Sequence, residues 1–267
     1  MDIQWITFPD GERQARSGAT GDKALIVSDM RTADDFWKVS LMADALRGRG
    51  AKRVTLIAPY LGYARQDRRA QPGDAAGGPL LLRQLAAAGV TKLVTADLHG
   101  DYLRKPQPLS LVSADTWPLF AAALKKRLGR VPVTICAPDH GAVKRALAVA
   151  GRMKDASMAW VEKHRVGGAR ILTGRLRGRL LGETAVIVDD ILSTGVTIEA
   201  AVKALRKAGI RRVWVAVTHA VFSDGAAKRL ERAGVERLFV SDTLPKPKTR
   251  IRTERLSVGA LLRKAAR

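Results

Sequence analysis

One cysteine stands in 267 residues, Cys136, inside an apolar run with no second cysteine or histidine at ligand spacing. That count excludes a disulfide framework and a structural zinc site. No apolar stretch approaches the roughly 18 residues that a membrane-spanning helix needs. The opening MDIQWITFPDGE has neither the basic segment nor the apolar core of a secretory leader. The expectation is a cytoplasmic protein without a membrane partner. Aromatic residues are 5% of the chain, so its basic stretches lack the interleaved rings on which nucleobases stack.

Acidic residues are scarce in one half only. Residues 1–118 hold 16 Lys and Arg against 13 Asp and Glu, and residues 119–267 hold 31 against 12. Nearly all of the net charge of +22 therefore lies in the second half. Those cations alternate with alanine and leucine at helical spacing, as in KALRKAGIRR and AAKRLERAG. The pattern reads as a solvated helix surface, with no nucleic-acid partner expected, and the same charge attracts small polyphosphates.

What the chain does contain is a repeat. KALIVSD (23–29), ADALRGRGAKRVTLIAP (43–59) and LLLRQLAAAGVTKLVTADLH (80–99) return as TAVIVDD (184–190), VKALRKAGIRRVWVAVTH (202–219) and AAKRLERAGVERLFVSDTL (226–244). Each copy reads strand, helix, strand, helix, strand. Apolar strands alternating with helices that end in glycine are the signature of parallel sheets covered on both faces. The fold class is α/β, two similar domains each with a mainly parallel sheet flanked by helices, with boundaries expected at 1–116 and 117–267 and the packing of the final helix on the first domain left open. The first copy is longer by about 14 residues in its middle loop, GYARQDRRAQPGDAAGGP, and an insertion of this kind in a duplicated scaffold is a place for function.

In AVIVDDILSTGVTIEAA (185–201) a buried strand runs into Asp189 and Asp190, then Ser193, Thr194, Gly195, Val196 and Thr197, and then a helical pattern starting near Thr197. Ligands of parallel sheets bind beyond the carboxyl ends of strands, where helix N-termini favour anions. A phosphate fits the hydroxyl and glycine segment, and the paired carboxylates suit neutral hydroxyls. The implied ligand is a sugar phosphate. A plain helix cap by Asp or Ser is the structural alternative.

VIVDDILSTGVT resembles the ribose-5-phosphate loop of type I phosphoribosyltransferases. FPDGE (8–12), PYLGYARQDRR (59–69), ADLHGDYL (96–103), APDHGAVKRA (137–146) and EKHR (162–165) resemble, in order, segments of the ribose-phosphate pyrophosphokinase family. The resemblance implies two phosphoribosyltransferase-like domains and transfer of the pyrophosphoryl group of MgATP to the C1 hydroxyl of ribose 5-phosphate. It implies that Asp189, Asp190, Ser193, Thr194, Gly195 and Thr197 hold ribose 5-phosphate. It implies likewise that Arg65 and Gln66 bind ATP, as do Phe8, Asp10 and Glu12 from a segment reaching a neighbouring subunit, so that a homo-oligomer shares its active site. By the same resemblance His99 and Asp139 are expected to meet Mg2+, and Lys163 and Arg165 to be catalytic residues of a mobile loop. A non-catalytic paralogue that binds nucleotide or ribose phosphate is the alternative.

The sequence also departs from the family pattern. Val196 replaces a glycine, which predicts weaker phosphate affinity, although Gly195 one place earlier offers another way to close the loop. His164 and Glu162 replace Arg and Asp, the family's first strand and helix are absent before Ile3, and Tyr102-Leu103-Arg104-Lys105 replaces the run that follows the family's histidine. The last change predicts no allosteric ADP inhibition of the usual bacterial kind.

Overall fold

The protein is described by a computed structural model covering residues 3–100, 102, 105–166, 171–223 and 225–267, with the side chains of 163–166 and 171–174 outside the description. It divides into two units, Met1–Ala114 with Gly259–Arg267, and Asp115–Val258.

In the first unit β1 (Ile3–Thr7) and β2 (Arg13–Ser17) form an antiparallel hairpin. The sheet follows as β3 (Lys23–Val27), α1 (Ala33–Gly48), β4 (Arg53–Ile57), α2 (Gly77–Ala87), β5 (Lys92–Ala96) and β6 (Ser110–Ala114). Its four strands are parallel and stand in chain order. Helix α1 starts at a reciprocal cap: the Asp35 amide donates to Thr32 Oγ1 at 3.2 Å, and the Thr32 amide donates to the Asp35 carboxylate at 2.8 Å. Val39, Ala43 and Leu46 then recur at helical spacing and pack with Ile26, Leu56, Leu82 and Leu93 on one face of the sheet.

In the second unit α3 (Trp117–Leu128) leads into β7 (Val133–Ala137), α4 (Val143–Ala150), β8 (Ala156–Val166), β9 (Ile171–Gly178), β10 (Thr184–Leu192), α5 (Val196–Lys207), β11 (Arg212–Ala220), α6 (Ala226–Arg232), β12 (Val235–Ser241) and β13 (Arg252–Leu256). The sheet order is β13-β12-β11-β10-β7-β8-β9, parallel except for β9 against β8. The fully buried β7 and most of β10 and β11 are its centre, with side chains buried on both faces. The last helix is α7 (Gly259–Ala266).

The duplication is longer than the sequence pattern predicts. A fourth parallel strand closes each copy, β6 beside β5 and β13 beside β12, and a helix follows each of them. Helix α3, which follows β6, packs within the second unit, where Phe120 and Leu124 cluster with Trp214, Phe239 and Leu256. Helix α7, which follows β13, packs within the first unit on β4, β5 and β6 and buries Leu262. The final helix, whose packing on the first domain the sequence leaves open, groups with the first unit. Ile57 and Val94 alternate with Leu56 and Leu93 along their strands, so they face away from α1 and α2 and need their own cover.

The EKHR segment, expected in a loop, is strand. Residues 162–165 belong to β8 and pair in register with β9, Glu162 opposite Arg175 and Lys163 opposite Gly174. Arg177 Nε donates to the Glu162 carboxylate at 2.9 Å across the pair. Gly167 and Gly168 lie outside the described residues.

Cys136 sits in β7, fully buried, and burial pushes its thiol up to about 12. With almost no thiolate present at neutral pH it is expected to resist a thiol reagent in native buffer. One equivalent should appear in denaturant; rapid native labelling would show instead that the central strand opens.

Candidate active site

Three non-glycine residues among those described have positive φ: Tyr63 at 60°, Asp97 at 36° and Phe222 at 48°. They follow β4, β5 and β11, all at carboxyl ends of strands. Backbone strain of this kind costs of order 1–3 kcal/mol per residue and gathers where function over-determines the chain. Most of the residues singled out by the sequence also lie at these edges.

In the second unit β10 ends and the chain turns through Ser193, Thr194 and Gly195 into α5. Gly195 has φ 76° and is the helix N-cap, with no side chain capping the first turn. The first amide to bond back into the helix is that of Glu199, which donates to the Gly195 carbonyl at 2.9 Å. The amides of Val196, Thr197 and Ile198 precede it, at the positive end of a 12-residue helix. Val196 has no positive φ; the glycine before it carries the left-handed turn. The expected weakening by Val196 thus lacks its backbone cause, because the residue is simply the first of the helix.

The loop is held from behind by the connection between β11 and α6. The Phe222 amide donates to the Leu192 carbonyl at 3.0 Å, the Ser223 amide to the Ser193 carbonyl at 3.2 Å, and the two serine hydroxyls lie 3.2 Å apart. Arg229 Nη1 donates to the Thr194 carbonyl at 2.6 Å while its Nε meets Glu199 at 3.1 Å. Arg229 belongs to the AAKRLERAG stretch, so this cation is part of the loop's support and not merely of a solvated surface.

The two adjacent aspartates differ. Asp190 is 3% exposed; its carboxylate accepts the Ile191 amide at 2.9 Å and Arg145 Nη2 at 2.7 Å. Asp189 is half-buried and accepts the Asp190 amide at 2.9 Å. Loss of water around it, then the carboxylates of Asp190 and Asp139, push the Asp189 carboxyl well above the usual range, against the pull of Arg145. Asp139 follows β7 and caps the short turn His140–Ala142 in extended conformation. Arg145 meets Asp190 directly, while Asp139 and Arg145 both act on Asp189 through their charge. Arg145 lies within the quoted APDHGAVKRA segment, but nothing in that local pattern names a partner 45 residues away.

In the first unit the inserted loop leaves β4. Gly62 donates to the Met30 carbonyl, and a side chain at 62 would strike that oxygen at 2.6 Å. Arg65 and Gln66 are exposed, between Ala64, which is buried, and the start of α2. The Gln66 carbonyl accepts the Gly78 amide at 3.1 Å, and the Ala64 carbonyl accepts the Tyr102 hydroxyl at 2.9 Å. Burial, with Asp67 nearby, pushes that phenol up to about 12, so it remains a donor. Gly78 leaves the room that the Tyr102 hydroxyl fills. His99 is half-buried after β5, whose end is fixed by the Asp97 amide on the Ala114 carbonyl at 3.0 Å and the Leu98 amide on Ser113 Oγ at 2.8 Å.

Phe8, Asp10 and Glu12 form the exposed tip of the β1–β2 hairpin, closed by the Phe8 amide on the Glu12 carbonyl at 2.8 Å and by the Glu12 amide on Asp10 at 3.0 Å. Phe8 is 43% exposed. The side chains of Lys163 and Arg165 lie outside the described residues. Among the described residues no group of three or more His, Cys, Asp or Glu is placed to hold a metal ion. A cation that keeps water and phosphate oxygens as ligands needs only one or two protein groups, and a carboxylate such as that of Asp139 is the kind of hard oxygen that would suit it. No described helix is long and apolar enough to cross a membrane.

Comparison with known proteins bears on the family and the fold. The family model for the N-terminal domain of ribose phosphate pyrophosphokinase matches residues 1–89, and that for the phosphoribosyl transferase domain matches residues 119–243. The ribose-phosphate pyrophosphokinase of Thermosipho africanus is 33% identical over 89% of this chain and 76% of its own. That of Thermococcus kodakarensis is 32% identical over 94% of this chain and 89% of its own. The crystal structure of phosphoribosylpyrophosphate synthetase from Mycobacterium smegmatis superposes with a TM-score of 0.88 at 27% identity, covering 99% of this chain and 89% of that one. The chain belongs to the ribose-phosphate pyrophosphokinase family.

Proposed function

We propose that this enzyme transfers the β,γ-pyrophosphoryl group of ATP to ribose 5-phosphate. The C1 oxygen of the sugar attacks the β-phosphorus, the bond from that phosphorus to the α,β-bridging oxygen breaks, and AMP leaves. The C1 hydroxyl proton is lost in the process. The observation that carries the reading is the uncapped start of α5 beside the half-buried Asp189. One end of this arrangement suits a phosphate and the other a diol.

Arg65 and Gln66, on a loop braced by Tyr102, are the proposed contacts to ATP. Phe8, Asp10 and Glu12 are proposed to complete that site across a homo-oligomer, a role supported by the exposure of the hairpin tip. Lys163 and Arg165 are the proposed catalytic cations, because pyrophosphoryl transfer depends on positioning and on neutralising charge at phosphorus oxygens. Mg2+ is proposed to arrive with the nucleotide, with Asp139 and His99 as its protein contacts; when bound it supplies charge neutralisation. Of the two features that favour the non-catalytic alternative, Val196 and the shortened start of the first domain, Val196 here occupies an ordinary helical position.

Purified protein incubated with ribose 5-phosphate and MgATP should release AMP and phosphoribosyl pyrophosphate in equal amounts, followed by chromatography. Neither product, with ATP still bound in calorimetry, would sink the reading. Tyr102→Phe removes one hydrogen bond worth about 1 kcal/mol and leaves the Ala64 carbonyl without that donor. The expected result is a severalfold rise in KM for ATP with KM for ribose 5-phosphate unchanged; equal changes in both would remove Tyr102 from the support of the ATP loop.

A further inference from the structure

Asp190 is an unusual residue to assign to ligand binding, because its carboxylate is nearly closed off from solvent and both of its oxygens are engaged. The group that engages it is Arg145. The side chain of Arg145 is 17% exposed and that of Asp190 is 4% exposed, with 2.7 Å between Nη2 and Oδ2. The same guanidinium donates through Nη1 to the Gly141 carbonyl at 3.1 Å. Gly141 lies in the turn that follows Asp139, and Asp190 lies at the end of β10. One planar cation from α4 therefore fastens the turn carrying Asp139 to the strand end carrying the acid pair.

We propose that Arg145 is a positioning residue for the sugar phosphate, holding Asp190 and the Asp139 turn in their binding arrangement before ligand arrives. The inference rests on the ribose 5-phosphate reading of this site. Its physical basis is the fixed fork of arginine, which satisfies two acceptors in set directions, whereas the lysine ammonium is a compact point charge on a flexible stem. Without Arg145 the buried Asp190 carboxylate would lose the cation that meets it at 2.7 Å while keeping Asp189 as its neighbour, and the cheapest relief is for it to turn away toward water. The contacts described for Arg145 reach Asp190 and the Gly141 carbonyl. Loss of Arg145 should thus act directly on the sugar and reach the nucleotide only indirectly, through the Asp139 turn and the Mg2+ proposed there.

The test uses the full chain in three forms, parent, Arg145→Lys and Arg145→Gln, with KM for ribose 5-phosphate and for ATP measured separately and ribose 5-phosphate binding followed by calorimetry without nucleotide. The expected result for Arg145→Gln is at least a tenfold loss of ribose 5-phosphate affinity in calorimetry, with a clearly smaller change in KM for ATP. Arg145→Lys should fall between, recovering the charge but not the fork. If Arg145→Gln does not fold, Arg145→Lys carries the same test, with a loss of at least threefold expected for the sugar and a smaller one for ATP. A lowered melting temperature with both KM values unchanged, or with both raised equally, overturns the proposal and leaves Arg145 a purely structural residue. A parent protein that neither binds ribose 5-phosphate nor forms product overturns the functional reading itself, and the role of Arg145 with it.

Discussion

Gly195→Val should abolish ribose 5-phosphate binding while leaving the sheet beneath it intact. Gly195 has φ 76°, and a β-carbon there would stand 2.5 Å from Leu230 Cδ1 of α6. A β-branched residue held in that conformation costs of order 1–3 kcal/mol, and displacing Leu230 from a packed position costs about 1–3 kcal/mol more. The chain escapes both costs by letting the loop leave its place, which scatters the amides at the start of α5. Taken as lost affinity, the total of roughly 2–6 kcal/mol corresponds to between about 30-fold and more than 10⁴-fold. The informative control is Val196→Gly, which restores the family's glycine. Because Val196 is already helical, that change should alter affinity by no more than a few-fold. A large gain from Val196→Gly, or a mild effect of Gly195→Val, would mean that position 196 and not 195 carries the turn. Calorimetric titration with ribose 5-phosphate decides between them.

The legibility of this fold in its sequence follows from what each segment buries. Strands such as TICA and AVIV are apolar on both faces, so they announce a central parallel sheet, and the offsets between repeated blocks locate the inserted loop. The fourth strand of each copy hides because SLVSA and RTERL are short and partly exposed edges with no apolar run. The exchange of terminal helices between units hides for another reason. Both α3 and α7 present an apolar face, and a sequence cannot say which sheet will receive it. The EKHR segment is expected in a loop from its resemblance to the family's mobile loop, and its strand pairing shows only with β9 beside it. At the site itself, residues within one loop were legible because phosphate chemistry needs them adjacent. Arg145, Arg229 and Ser223 were not, since each acts on a segment 30 or more residues away, through one or two bonds.

The neighbouring carboxylates give the second large prediction, in which one substitution applied at two adjacent positions moves stability in opposite directions. Asp190→Asn removes the charge from a buried pair and leaves Arg145 facing a neutral amide. Breaking such a pair from one side costs about 3–5 kcal/mol, so the melting temperature should fall. Asp189→Asn does the reverse. The folded-state pKa of Asp189 is raised by burial and by its like-charged neighbours, so its ionisation weakens the fold as pH climbs past the ordinary carboxylate range. Well below that range the carboxyl is protonated in both states and asparagine gains nothing. At neutral pH the parent carries the crowded charge and the variant does not, so the variant should melt higher, by a margin that shrinks as pH falls toward about 4. Turnover should nevertheless drop by roughly 10- to 150-fold, the kinetic equivalent of a lost charge-assisted hydrogen bond of about 1.5–3 kcal/mol. Thermal melts of both variants without nucleotide or divalent metal, at several pH values, make the comparison. Equal destabilisation by the two changes would show that Asp189 is a second structural anchor. Stabilisation by Asp189→Asn alone would show a carboxylate kept for the sugar at the expense of the fold.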